Sequence, residues 1–174
     1  MTEIHTPRLL LRRWLPDDDL AALAEIQADP SVMRTIGDGA PRSLDETAED
    51  IERWEEEWDE EGFGLFAVEL LGSGELAGAV GLYVPDAPAQ IAGHIGIQWR
   101  LGRQFWGQGY ASEAAHATLE FALQDRGIDR VVAITAPDDT SSAKVLDKLG
   151  MAATGSAQDG RALLYAIDLT EFEG

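Results

Sequence analysis

Apolar residues are spaced along this chain in two rhythms. Short dense runs at 8–14 ("RLLLRRW"), 63–71 ("FGLFAVELL"), 75–84 ("ELAGAVGLYV"), 92–101 ("AGHIGIQWRL") and 129–136 ("DRVVAITA") predict strands. A last pair of strands, 151–158 and 161–169, turns at Asp159-Gly160, a hairpin dipeptide. "GSG" at 72–74 marks a second hairpin. Helical spacing takes over elsewhere. "PDDDLAALAEIQAD" opens on proline and acids, a helix-start signal. The stretch 29–41 is rich in turn residues and reads as loop. A long helix follows Ser43, with Glu46 completing a capping box. Its apolar face is read as Leu44, Ala48, Ile51, Trp54 and Trp58, and its acidic face as Glu49, Asp50, Glu52, Glu56, Asp59 and Glu60. Helices are also predicted at 109–125, with Gly127 as cap, and at 139–150, closed by Gly150. The order is strand, two helices, three strands, helix, strand, helix, two strands. It predicts one mixed α/β domain over residues 1–174, mostly antiparallel, with a strand-helix-strand crossover in the middle.

Composition narrows the partners. The 174 residues carry 13 basic and 32 acidic side chains, a net charge of -19. That surface disfavours nucleic acid and favours cationic partners or plain solubility. No apolar run is long enough to span a bilayer, and no signal-peptide pattern opens the chain, so a cytoplasmic protein is expected. With no cysteine, thiolate chemistry is excluded. His5, His94 and His116 stand far apart, and no metal site is expected.

The most informative stretch is "FWGQGYASEA", residues 105–114. A strand runs into two glycines, Gly107 and Gly109, and a helix begins. The first amides of a helix have no internal partner, glycine allows close approach, and the helix dipole adds positive potential. Together they make an anion site suited to a diphosphate. Ser112 stands where a dinucleotide fingerprint needs glycine, and no Gly-Lys-Ser/Thr follows as in a P-loop.

"RQFWGQGYASEAAHATLEFA" resembles the acyl-CoA-binding motif of the GNAT superfamily of N-acetyltransferases, through Gln104, Gly107 and Gly109. The flavour is that of the branch that acetylates ribosomal-protein N-termini. "TPRLLLRRW", the central hairpin and "DDTSSAKVLDKLGM" resemble other segments of that branch, in the same order. The resemblance implies a GNAT-like fold, whose central parallel strands splay apart. It implies acetyl-CoA as acyl donor and an amine as acceptor: a protein N-terminus or a small cationic amine. It implies a homodimer by analogy alone.

The same resemblance distributes roles. Residues 104–111, including Gln104, Gly107, Gln108, Gly109, Tyr110 and Ala111, would hold the diphosphate, with Arg103 as a further phosphate contact. Trp99, Arg100 and Leu101 would bond the pantetheine like a strand. Ser142 matches the serine that serves the departing thiolate, or it satisfies backbone in a helix's first turn. Asp139 replaces the usual asparagine and suits a helix N-cap. Lys144 and Lys148 lie on a helix that borders the cofactor in the family, where Lys144 either meets a cofactor phosphate or lies on a solvated face, and Tyr110 either packs or touches cofactor. The glutamate that many relatives carry falls at Gly96, so the expected base is missing. His94, placed two residues earlier on the same strand face, could take the ammonium proton or be a plain strand histidine. Gln98 could orient water or acceptor. Trp54 and Trp58 bury the long helix and border the acceptor cleft. The missing carboxylate also keeps open a second reading, an acyl-CoA-binding module without catalysis.

Overall fold

The computed structural model describes residues 2–172. One eight-stranded sheet runs through the molecule in the order β1-β2-β3-β4-β5-β6-β8-β7. The strands are β1 (Ile4–His5), β2 (Leu9–Arg12), β3 (Leu65–Leu70), β4 (Leu76–Tyr83), β5 (Gly96–Leu101), β6 (Arg130–Thr135), β7 (Ala152–Ala157) and β8 (Ala162–Asp168). The helices are α1 (Pro16–Gln27), α2 (Pro30–Met33), α3 (Leu44–Glu61), α4 (Tyr110–Arg126) and α5 (Thr140–Leu149). Two elements were not expected: β1, and α2 inside the stretch read as loop. Asp29 starts α2 by accepting the Ser31 N–H at 2.9 Å.

All strand pairs are antiparallel except β5 and β6. That parallel pair meets only at Gly96 and Val132, where Val132 N–H donates to the Ile95 carbonyl at 2.9 Å. Beyond it the strands part, and β5 keeps its full register with β4 on the other side. The expected splayed pair is therefore present at the centre of the sheet.

Two cores sandwich the sheet. On one face, Leu11, Phe66, Val80, Leu82, Ile97, Leu119 and Phe121 form a cluster under α4. On the other, Trp14, Leu23, Ile51, Trp54, Leu65 and Ala79 pack beneath α1 and α3. The predicted punctuation holds: Ser43 and Glu46 make a reciprocal capping box, and Gly127 and Gly150 close α4 and α5 in the left-handed conformation. The Asp159-Gly160 turn also holds, both residues at positive φ.

The face of α3 needs correction. Leu44 is 55% exposed and Ala48 is exposed, while Thr47 and Asp50 are buried with Ile51, Trp54 and Trp58. Asp50 sinks because it is fully bonded there. It accepts from Gln27 at 3.0 Å and from Arg42 at 2.6 and 2.8 Å, and Arg53 adds a bond at 3.0 Å. Partners on α1 and the loop, which no helical period reports, turn the face by one residue.

Trp58 and Trp14 both donate their indole N–H to the Leu65 carbonyl, each at 2.9 Å. Trp58 also packs edge-on against Phe66 at 4.8 Å, and Trp54 lies 5.2 Å from Trp14. Both Trp54 and Trp58 are 3% exposed. They are core residues here, and neither offers the surface that an acceptor contact requires.

Candidate functional site

The glycine loop leaves β5 through a single 3-10 turn at Arg103–Phe105 and enters α4 at Gly109. Gly107 and Gly109 have φ of 74° and 83°, a region that a side chain disfavours. A Cβ on Gly107 would meet no atom within 4 Å, so the space in front of the loop is open. Among the described residues, the successive N–H groups of 107–112 find no protein acceptor. They are the bare donors expected of an anion cradle at a helix N-terminus.

A residue far off in sequence holds this loop. Arg8, between β1 and β2, donates to the Gln108 carbonyl at 2.8 Å and pairs with Glu113 at 2.8 Å. Its guanidinium also lies 4.3 Å from the Tyr110 ring centroid. Because a peptide unit is trans, drawing the Gln108 carbonyl toward Arg8 points the Gly109 N–H the opposite way, out into the open space. Partial burial pushes the Glu113 carboxyl up, but hydrogen bonds from Thr6 and Arg8 outweigh it and hold the group below its ordinary range. Glu113 would otherwise set an unpaired negative charge in the first turn of the helix. Sequence reasoning missed Arg8; only the fold brings it to a loop a hundred positions away.

The other candidates fall into place unequally. Gln108 Nε2 donates to the Gln104 carbonyl at 3.0 Å, and both side chains are exposed on the loop. Tyr110 packs under Arg8, and Ala111 packs against the α4 core. Arg103 is not a free phosphate ligand: Asp29 accepts two of its N–H groups at 2.8 and 3.1 Å. Along β5, Ile95 turns its carbonyl toward β6 and Gly102 donates across to Ala77 on β4. By strand alternation the backbone groups of Ile97, Trp99 and Leu101 face the gap. Leu101 spends its carbonyl on the exposed Trp106 indole, at 2.9 Å. Arg100 points its backbone at β4 and its side chain into the α1/α3 face, so its pantetheine assignment is corrected.

Across the gap, α5 begins beside the end of β6. Asp139 caps it, accepting the Ser142 N–H at 3.0 Å and the Ser142 hydroxyl at 2.8 Å. The Ser142 proton therefore rests on Asp139, and the hydroxyl must rotate before it can serve anything in the gap. Lys144 and Lys148 are exposed on α5. Thr135, last on β6, is 8% exposed and its Oγ1 has no hydrogen-bond partner.

The base position is closed by Tyr83. Gly96 pairs with Tyr83 on β4, and a Cβ on Gly96 would stand 2.7 Å from the ring. Any side chain there, a glutamate included, requires that ring to move aside. Burial raises the Tyr83 phenol above its ordinary value, with nearby Arg100 opposing. The phenol is thus a proton holder at neutral pH. His94 does not lie on the strand. Its N–H closes a turn on Ile91 at 3.1 Å, and its ring is exposed on the bend before β5. A turn that includes Gly93, at φ of 80°, starts the strand at Gly96, four residues later than its residue pattern suggests.

Gln98 lies on the α1/α3 face, half-buried, and accepts from Arg100 at 3.1 Å. Arg100 also donates to Gln27 at 2.9 Å and lies 5.3 Å from the Trp54 ring. Burial depresses its guanidinium to about 10. A cleft of about 600 Å³ starts at the glycine loop and runs along the flank of α4, between Arg8, Gln108, Gly109, Ser112 and Lys148. No group of metal-ligating side chains occurs among the described residues, and no helix of theirs is long and apolar enough to cross a membrane.

Residues 8–152 match the model of the acetyltransferase (GNAT) domain. The uncharacterized protein YkkB of Bacillus subtilis (strain 168) is 30% identical over 152 residues, 86% of this chain and 85% of its own length. A GNAT-family acetyltransferase structure from Bacillus anthracis superposes with a TM-score of 0.81 at 26% identity, over 98% of this chain and 100% of that one. RimL, a ribosomal L7/L12 alpha-N-protein acetyltransferase solved in complex with coenzyme A, shares the fold with a TM-score of 0.79. It is 18% identical, over 96% of this chain and 98% of its own.

Proposed function

The chain belongs to the GNAT acetyltransferase family, and from that premise we propose that it moves an acetyl group from acetyl-CoA to a primary amine by direct attack, both substrates bound together. One observation carries the reading: the bare N–H groups of 107–112 at the mouth of a gap between two parted strands. The residues fit the donor. The N–H row suits a diphosphate, and the gap-facing backbone of Ile97 and Trp99 suits a pantetheine chain that substitutes for the missing strand pairing. Exposed Lys144 on α5 is a cation available to a phosphate.

When bound, acetyl-CoA supplies an activated thioester carbonyl. The protein's part is to place it and to manage charge. The gap-facing N–H groups are fixed donors for a carbonyl oxygen gaining charge, the kind of stabilisation that acts without reorganisation. Ser142, once turned off Asp139, is the hydroxyl available to a departing thiolate. With no carboxylate at Gly96, the acceptor's ammonium proton leaves to water, with His94 reachable only through solvent. Orientation of the two substrates then carries most of the rate. The acidic surface suits a cationic acceptor, a protein N-terminus or a small amine.

The ring over Gly96 favours a second reading, acyl-CoA binding without turnover. Thiol release over a panel of amines separates the two, since only the enzyme frees coenzyme A in an amine-dependent way. Acetyl-CoA at a hundred times its dissociation constant should stabilise the protein by about 2.7 kcal/mol. Gly107→Glu, which crowds the cradle and repels a diphosphate, should abolish that shift. An undiminished shift in the variant would refute the loop assignment.

A further inference from the structure

Four side chains on the α1/α3 face form a hydrogen-bond chain with one possible polarity. Asp50, 1% exposed, is a carboxylate and can only accept; the amide Nε2 of Gln27 donates to it at 3.0 Å. The same amide group donates to Thr47 at 3.0 Å, so the Gln27 oxygen is left facing Arg100, which donates to it at 2.9 Å. A guanidinium has donors alone, so its next partner, Gln98, must also present its oxygen, at 3.1 Å. The Gln98 NH2 is thereby turned away from the chain. It has no protein acceptor among the described residues, and Gln98 is half-buried on the same sheet face as Gly96, one step along β5 from the point where the strands begin to part.

We propose that Gln98 is a specificity residue for the acceptor, its NH2 held as a fixed donor by the buried chain Asp50–Gln27–Arg100. It selects amines that carry an oxygen acceptor, a carbonyl or a carboxylate, beside the reacting nitrogen. Arg100 and Gln27 are positioning residues that act through it. The surroundings sharpen the selection. Arg100 lacks a carboxylate in direct contact, Asp50 reaching it only through Gln27, and its Nε has no partner. A plain polyamine brings donors to a donor and gains nothing there. The inference rests on the acetyltransferase reading and narrows its acceptor.

The test measures kcat/KM by thiol release, with acetyl-CoA saturating, for alaninamide, alanine, an alanyl peptide, 3-methyl-2-butylamine and spermidine. Each acceptor is compared as a variant-to-wild-type ratio, so that differences in basicity cancel. Gln98→Leu should lower the oxygen-bearing acceptors roughly tenfold, the factor one uncharged hydrogen bond supplies, and leave the alkylamine unchanged. A greater loss for alanine than for alaninamide identifies a carboxylate, and the reverse a carbonyl. Gln98→Glu, which turns the outward atom into an acceptor, should raise spermidine relative to alaninamide. Arg100→Met should copy the selective loss of Gln98→Leu, while a merely structural role would lower all acceptors alike. An equal effect on every acceptor, or none, overturns the inference while the transferase reading stands. Bound acetyl-CoA with no thiol release for any amine overturns both.

Discussion

Arg8→Met keeps the aliphatic stem and removes the one charge that holds the glycine loop. Its ion pair with Glu113 is 44% and 18% exposed, so solvent screens it to about 0.5–1 kcal/mol. The contact over Tyr110 adds about 0.5 kcal/mol at such a site. The bond to the Gln108 carbonyl adds about 0.5–1 kcal/mol, because water replaces it. The sum is about 2 kcal/mol, read as roughly 4–8 °C of melting temperature in a chain of this size. The effect on the donor should be larger than stability alone implies. Freed of Arg8, the Gln108 peptide unit no longer points the Gly109 N–H outward, and the Glu113 carboxylate stands unpaired in the first turn. Acetyl-CoA should bind roughly tenfold more weakly by calorimetry, and the double variant Arg8→Met/Glu113→Gln should recover part of the loss. Raising salt should shrink the electrostatic share. A melting point lowered as expected beside an unchanged dissociation constant would refute the argument. The loop amides would then not be the grip, or Arg8 would not aim them.

Three further outcomes follow from the same geometry. Ser142→Ala should lower kcat more than it weakens acetyl-CoA; a change confined to affinity counts against a role at the leaving group. Thr135→Val removes a buried hydroxyl without a partner at nearly constant volume. It should raise stability by roughly 1 kcal/mol in urea unfolding, and a loss of that size would show that the hydroxyl is bonded after all. Burial pushes the Asp50 carboxyl up, but Arg42 and Gln27 outweigh it and hold the folded value low. Its stabilisation is therefore present above the ordinary carboxylate range, about pH 4, and is lost as pH falls through the lower folded value. Asp50→Asn should flatten the acid limb of the stability curve, and an unaltered limb would exclude Asp50 as its source.

Local signals carried much of the architecture. The capping box at Ser43, the closing glycines at 127 and 150, the Asp159-Gly160 turn and the glycine loop are each decided by a few neighbouring residues, and each stands where the sequence places it. What was illegible depends on distant partners. Asp50 reads as solvent-facing until Gln27 and Arg42 arrive from other elements. Arg8 looks like an ordinary strand-entry arginine until the fold sets it on Gln108. The closed position at Gly96 is a matter of register, since only the β4–β5 pairing puts Tyr83 opposite it. Arg103 and His94 failed for a related reason: one is claimed by Asp29, and the other is carried off the strand by a turn.

The two indoles that share the Leu65 carbonyl have a mechanical consequence. One oxygen ties the end of β2 and the last turns of α3 to the start of β3, so α3 is a fixed jaw, welded to the sheet. The connection before α3 is fastened as well, since Arg42 donates its N–H to the Gln27 carbonyl at 2.8 Å and its guanidinium to Asp50. Spin labels or fluorophores placed on α3 should therefore stay still when an amine binds, and a displacement would refute the weld.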